Sequence, residues 1–263
     1  MRHLVCTSLF IASLSCSAVA TATETFSVAP QTEPTELAGQ SIEVDVYRSS
    51  AHTIQATAIV AHGFTRSRAR HRDLGQALAA AGITAVIPDL PFADQWNNSA
   101  AVVELVHKLE AGALGLAPIP RSGLVLIGTS AGGLATVLAA AKLPGLAGWV
   151  GLDPVDRTGS GIQAASRVTS PAVVLLAERS GCNLYGSGRS IARAIPGLLR
   201  STLLHGASHC DFEGPSTKLC RLICGESPVG MRALARDATV TAAVEMLRGR
   251  SNRPIPTLNA TPE

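Results

Sequence analysis

The sequence predicts an α/β fold, a mostly parallel central sheet with helices on both faces. Three observations carry this. Short apolar runs alternate with helical segments, and the connections between them are short. Several of the runs, LVLI at 124–127, AGWVGL at 147–152 and AVVLLA at 172–177, are apolar throughout, as strands buried on both faces are. The candidate reactive residues fall just after such runs, where parallel sheets of this kind bind their ligands. The 263 residues suit one domain, and 46% hydrophobic against 16% charged residues supplies a large core. A net charge of +3 without a basic run, and few aromatics, argues against a nucleic-acid partner.

Taken in order, residues 1–22 read as a secretory signal. Arg2 and His3 precede an apolar run, Leu4 to Leu14, that is too short to cross a bilayer. Small-residue cleavage signals follow at Ala18-Val19-Ala20 and Ala20-Thr21-Ala22. The mature chain is therefore expected to be secreted or periplasmic, with no stable membrane insertion. Residues 23–40 read as a loose N-terminal arm, 41–249 as the folded domain and 250–263 as a flexible tail. Within the domain, Ser41–Tyr47 alternates as an outer antiparallel strand does, and Thr53–Ala61 runs into the sheet interior. A helix over Asp73–Ala81 stops at Gly82, and the strand Ile83–Ile87 follows. The helix Trp96–Gly112 has Asn97, Asn98 or Ser99 as N-cap candidates. After the strand at 124–127 come an Ala/Leu-rich helix, the strand Ala147–Leu152, a short helix within Thr158–Val168 and the strand Ala172–Ala177. The helix Arg189–Ile195, a last central strand at Ser201–His205 and a long helix at Met231–Arg248 complete the pattern. Arg66, Arg68, Arg70, His71 and Arg72 read as a solvated helix start.

The stretch LVLIGTSAGGLATVL at 124–138 is the chemical centre of the sequence. Strand, G-x-S-x-G and helix form the context of a nucleophile elbow. A sharp turn there has room only for glycines beside the serine, and it lifts the Ser130 hydroxyl above the sheet edge. The same turn aims the amide of Ala131, at the helix start, toward the point where an oxyanion would develop. A serine hydroxyl needs a base, and the base needs an acid to hold its tautomer. His209, in the loop after the last strand, is favoured as base over His205, which lies within or at the end of that strand. His52, His71 and His107 read as surface residues. Three carboxylates are candidates for the acid. Asp153 directly follows a buried run, Asp156 also suits a turn cap, and Glu178 follows the next strand. Asp153 is favoured.

At these residues the chain resembles a known group of enzymes. The loop His62-Gly63-Phe64-Thr65, after a strand, resembles the oxyanion loop of α/β-hydrolases, including cutinase-like polyester hydrolases. GTSAGG at 128–133, GLDPVD at 151–156 and the His209 loop are together similar to the chlorophyllase and dienelactone-hydrolase branch of that superfamily. The resemblance covers roughly residues 55–215. It implies the α/β-hydrolase fold, Asp153 as the acid and the backbone amides of Phe64 and Ala131 as oxyanion donors. Ala131 stands where chlorophyllases usually carry arginine, so the implied activity is that of a general esterase on a small-molecule or polymeric ester. No cofactor or metal is implied. A peptidase or amidase with the same triad, or a binding module on the same fold, are the rival readings.

Cys6 and Cys16 leave with the leader, and Cys182, Cys210, Cys220 and Cys224 remain. An even number in an exported chain suggests disulfides, and the spacing of Cys220 and Cys224 does not suit a zinc site. Four cysteines allow three pairings, among which sequence does not choose. Within the frame of the resemblance, Cys182–Cys210 would brace the base loop and Cys220–Cys224 would close a small loop.

Overall fold

The computed structural model describes residues 28–49, 56–90 and 93–249. The expected leader (1–22), the tail (250–263) and the start of the strand expected at Thr53 lie outside the described residues. The strands are β1 (Gln31–Leu37), β2 (Gln40–Tyr47), β3 (Thr57–Ala61), β4 (Thr84–Pro88), β5 (Leu124–Thr129), β6 (Gly148–Leu152), β7 (Ala172–Leu176) and β8 (Leu198–Leu203). They form one eight-stranded sheet in the order β1-β2-β4-β3-β5-β6-β7-β8. From β4 to β8 the pairing is parallel, whereas β1–β2 and β2–β4 are antiparallel.

The helices are α1 (Arg72–Ala80), α2 (Gln95–Ala111), α3 (Ala131–Ala140), α4 (Ser160–Ala165), α5 (Gly188–Ala194), α6 (Lys218–Cys224) and α7 (Met231–Leu247). Apart from α6, which sits against the turns at 181–183 and 209–212, they divide between the two faces as the strand pleat requires. Ile59, Leu124, Leu126 and Val174 point to one face and pack with α2, α3, α4 and α5. Ala58, Val60, Val125, Ile127 and Val173 point to the other and pack with α1 and α7. All nine of these strand residues are at most 1% exposed, which is why their runs show no alternation. Trp149, on β6, is fully buried and donates its indole N–H to Thr136 Oγ1 on α3 at 3.0 Å. The α/β fold expected from the sequence is the one formed.

Some local expectations are corrected. Residues 31–37, inside the segment expected to be a loose arm, form edge strand β1. It pairs with β2 through the two-residue turn Ala38-Gly39, whose residues both have positive φ (51° and 74°). Pro34 is tolerated because the strand lies at the sheet edge. Helix α2 is capped by Asp94, whose side chain accepts the Trp96 amide at 3.1 Å; Asn98 and Ser99 are buried inside the helix. The last strand ends at Leu203, so His205 lies beyond it. The basic cluster is not simply solvated. Arg68 is paired with Glu43, Asp45 and Asp89, and His71 is 1% exposed.

The disulfides are Cys182–Cys224 and Cys210–Cys220, instead of Cys182–Cys210 and Cys220–Cys224. Helix α6, not foreseen, is the reason. One helical turn places Cys220 and Cys224 on the same side, with their Sγ atoms 3.9 Å apart, and each reaches a different loop. Replacing Cys210 and Cys220 with serine is expected to lower Tm by several degrees. Loss of a native disulfide costs about 2–5 kcal/mol, and a chain of this size loses roughly 2–4 °C per kcal/mol. A calorimetric scan with an unchanged Tm would count against a structural role for this link.

Candidate active site

The site is assembled at the carboxyl ends of β3, β5, β6 and the loop after β8. Strand β5 ends at Thr129, and α3 begins at Ala131. Between them Ser130 adopts φ 55°, ψ −119°, a conformation that costs a residue with a Cβ roughly 1–3 kcal/mol. The neighbouring structure holds it there. Ser130 donates its amide to Leu152 O at 3.0 Å, and its carbonyl accepts the amides of Val155 at 3.0 Å and Leu134 at 3.3 Å. The flanking glycines are required by close backbone approach. A Cβ at Gly128 would lie 2.3 Å from Gly132 O, and one at Gly132 would lie 2.4 Å from the carbonyl oxygens of Ala61 and His62.

Asp153 follows β6 with φ 42° and is 0% exposed. Its buried carboxylate is fully paired. Oδ1 accepts the Ala177 amide at 3.2 Å, and Oδ2 accepts Asn183 Nδ2 at 2.9 Å and lies 2.6 Å from His209 Nδ1. Across the ring, His209 Nε2 is 2.9 Å from Ser130 Oγ. The structure thus brings Ser130, His209 and Asp153 into one hydrogen-bonded chain. The turn holding His209 is itself capped. Asp211 accepts the Ser208 amide at 2.7 Å and the Ser227 hydroxyl at 3.0 Å, and the adjacent Cys210 is tied to α6.

The other acidic candidates are occupied elsewhere. Asp156 caps the start of α4, accepting the amides of Thr158, Gly159, Gly161 and Ile162 at 2.9–3.2 Å. Glu178 is half-exposed, pairs with His205 at 3.5 Å and accepts the Gly206 amide at 3.2 Å. His205 is 85% exposed along its side chain.

The loop after β3 passes directly over the serine. A Cβ at Gly63 would sit 3.3 Å from Ser130 Cβ. The Gly63 carbonyl lies 2.9 Å from His62 Nδ1 and accepts the Arg66 amide at 3.2 Å. Burial pushes the His62 pKa down, so the ring is neutral at pH 7 and Nδ1–H donates to that carbonyl. Because a trans peptide is planar, fixing the Gly63 carbonyl on one side turns the Phe64 N–H to the opposite side. The Phe64 ring is 58% exposed. As the first residue of α3, Ala131 has an amide with no acceptor within its own helix.

Two partners of the site carry no pattern that sequence reasoning could have used. Asn183 is fully buried, and its side-chain oxygen accepts the amides of Ser180 and Gly186, which fixes the Nδ2 group on Asp153. Glu213, four residues after His209, is 12% exposed along its side chain. Its Oε1 accepts the Gly63 amide at 2.5 Å and lies 3.5 Å from His71 Nε2, while Oε2 is 3.7 Å from Arg66 Nε. Burial pushes the Glu213 pKa up, but His71, the Gly63 amide and His62 outweigh it, and the pKa falls below the ordinary carboxylate value.

A cavity of about 910 Å³ opens above Ser130. Phe64, Trp96, Leu134, Val155, Leu219 and Ile223 supply apolar wall, and Arg66, Arg70, Asp94, Arg157 and Glu213 are its charged groups. Among the described residues no helix is long and apolar enough to cross a membrane.

No protein-family model matches the chain, and no curated protein matches it. Solved structures do. A dienelactone hydrolase from Anabaena variabilis superposes with a TM-score of 0.64 at 16% identity, covering 84% of this chain and 98% of its own. A 2,6-dihydroxy-pseudo-oxynicotine hydrolase gives 0.61 at 15% identity, over 89% of this chain and 72% of its own. DcsB, solved with a substrate analogue, gives 0.64 at 12% identity, over 85% and 99%. At these identities the likeness concerns the fold, and this chain has the α/β-hydrolase fold.

Proposed function

We propose that this protein is an exported serine hydrolase that cleaves carboxylic esters through an acyl-enzyme. The observation that carries the reading is the hydrogen-bonded chain from Ser130 Oγ through His209 to the buried Asp153 carboxylate. In this reading Ser130 attacks the ester carbonyl while His209 Nε2 takes its proton. Asp153 holds Nδ1–H and stabilises the imidazolium that forms. The amides of Phe64 and Ala131 hold the oxyanion of the tetrahedral intermediate. Collapse expels the alcohol, protonated by His209. The same histidine then activates water to release the acid and restore Ser130.

Two of the fold neighbours are named as hydrolases, one of them of a dienelactone, and a lactone is an internal ester. The two disulfides suit a chain made for an oxidising compartment. Between β6 and β7 the only helix is the six-residue α4, which leaves no room there for a large lid. An open site of this kind favours short acyl chains or esters presented on a surface.

The test is hydrolysis of p-nitrophenyl esters from acetate to palmitate, with a fluorophosphonate probe to label the serine. The expected outcome is turnover that is fastest on the short chains, and one probe attached at Ser130. Anilides cleaved as readily as esters would turn the reading to an amidase. A folded protein inert to both esters and probe would turn it to a binding module.

A further inference from the structure

The proposed mechanism leaves the mostly buried carboxylate of Glu213, on the wall of the site, without a task. A carboxylate largely withdrawn from water is costly unless its oxygens are paired, and these are paired with one contiguous segment. Gly63, Arg66 and His71 are all its partners, and all belong to the loop and helix start that follow β3. Glu213 itself lies just past the short turn His209–Phe212 that carries the base. One side chain therefore joins the segment bearing one oxyanion donor to the segment bearing the base.

The bond to Gly63 has a geometric consequence. The Gly63 carbonyl is held by His62 Nδ1 and the Arg66 amide, which sets one peptide plane, and the Gly63 amide, in the preceding peptide plane, is held by Glu213. The Phe64 N–H lies in the first of these planes, and Glu213 holds the plane on the other side of the Gly63 Cα, so rotation at this glycine, which would swing the Phe64 N–H away, is restrained from both sides. A side chain at Gly63 would crowd Glu213 Oε1 at 3.1 Å as well as Ser130 Cβ, so carboxylate, loop and serine are packed against one another. A mere salt bridge to His71 would not need a seat on the cavity wall beside the serine, which Glu213 occupies.

We propose that Glu213 is a positioning residue for ester hydrolysis: by holding the Gly63 amide it locks the loop so that the Phe64 N–H meets the oxyanion. The proposal rests on the serine-hydrolase reading above. It places the action of Glu213 on the transition state, since the oxyanion donor is used fully only there.

The experiment compares wild type, Glu213→Ala and Glu213→Gln on p-nitrophenyl acetate. It also measures binding of a trifluoromethyl ketone, which forms a hemiketal oxyanion on the serine, and Tm. Removing a whole oxyanion donor costs about 10²–10³ in kcat, so misaligning one is expected to cost roughly tenfold or more in Glu213→Ala, with KM within about twofold. Affinity for the ketone is expected to fall by the same factor as kcat/KM. Glu213→Gln keeps an oxygen for the Gly63 amide and is expected to recover part of kcat. Wild-type kcat in both variants overturns the proposal, as does a loss confined to KM. Loss of secondary structure at the assay temperature in both variants also overturns it, in favour of a purely structural ion pair. A wild type that neither turns over esters nor takes up the fluorophosphonate probe overturns the underlying reading, and this proposal with it.

Discussion

Ser130→Ala is expected to lower kcat/KM for p-nitrophenyl acetate by about 10⁴- to 10⁶-fold, the range seen when the nucleophile of a serine triad is removed. The variant is also expected to fold normally. Alanine keeps the Cβ, so the backbone strain at φ 55° is neither relieved nor increased. The hydroxyl accounts for one hydrogen bond, to His209 Nε2 at 2.9 Å, and His209 retains its bond to Asp153. Steady-state rates and a thermal melt on the same preparations check both halves. An alanine variant with a tenth or more of wild-type activity would remove Ser130 from the chemistry.

The second large effect separates the three acidic candidates. Asp153→Asn is expected to lower kcat by about 10³- to 10⁴-fold, because the histidine is then held in the wrong tautomer. Three donors, Ala177 N–H, Asn183 Nδ2 and His209 Nδ1, converge on the two oxygens of Asp153. An asparagine has one oxygen, so its NH₂ group must face at least one of those donors. By contrast, Asp156→Asn weakens a cap that serves four amides of the α4 start. Its expected cost is stability, about 1–3 kcal/mol, because the asparagine NH₂ would face two of those amides, with kcat near wild type. Glu178→Gln is expected to leave kcat unchanged. Three kcat values decide the matter, and a loss in Asp156→Asn as large as that in Asp153→Asn would overturn the assignment.

The parallel sheet was legible because its strands are buried on both faces. A run such as Val173-Val174-Leu175, with every residue at most 1% exposed, is mostly β-branched and too short for a core helix, so it reads as a strand. The hydrogen-bonded chain of Ser130, His209 and Asp153 was legible for a related reason. The three residues sit immediately after strands or in the loop following one, and the parallel order brings strand ends to one edge. What stayed hidden was local. The β1–β2 hairpin turns on Ala38, and alanine at positive φ leaves no signature of the Asn-Gly kind. Helix α6 shows no apolar stripe buried against a core. Leu219, Leu222 and Ile223 are all at least 60% exposed, and cystines rather than packing tie the helix down. Missing that helix entailed the wrong cysteine pairing. His71 was hidden because a buried histidine inside a run of arginines looks like part of a surface.

The pairing has a consequence for the order in which the chain can finish itself. The two cystines are nested: the link from 210 to 220 spans 10 residues and lies wholly within the link from 182 to 224, which spans 42. Closing a short loop loses less chain entropy than closing a long one, so the inner ring forms at the lower cost. It ties the histidine's own turn to the first turn of α6, and that places Cys224 opposite its distant partner. Each ring waits for its own last cysteine, Cys220 for the inner and Cys224 for the outer. A chain made from its N-terminus carries Ser130 and Asp153 well before Cys220 and Cys224 exist, so the turn of His209 is the last part of the site to be anchored.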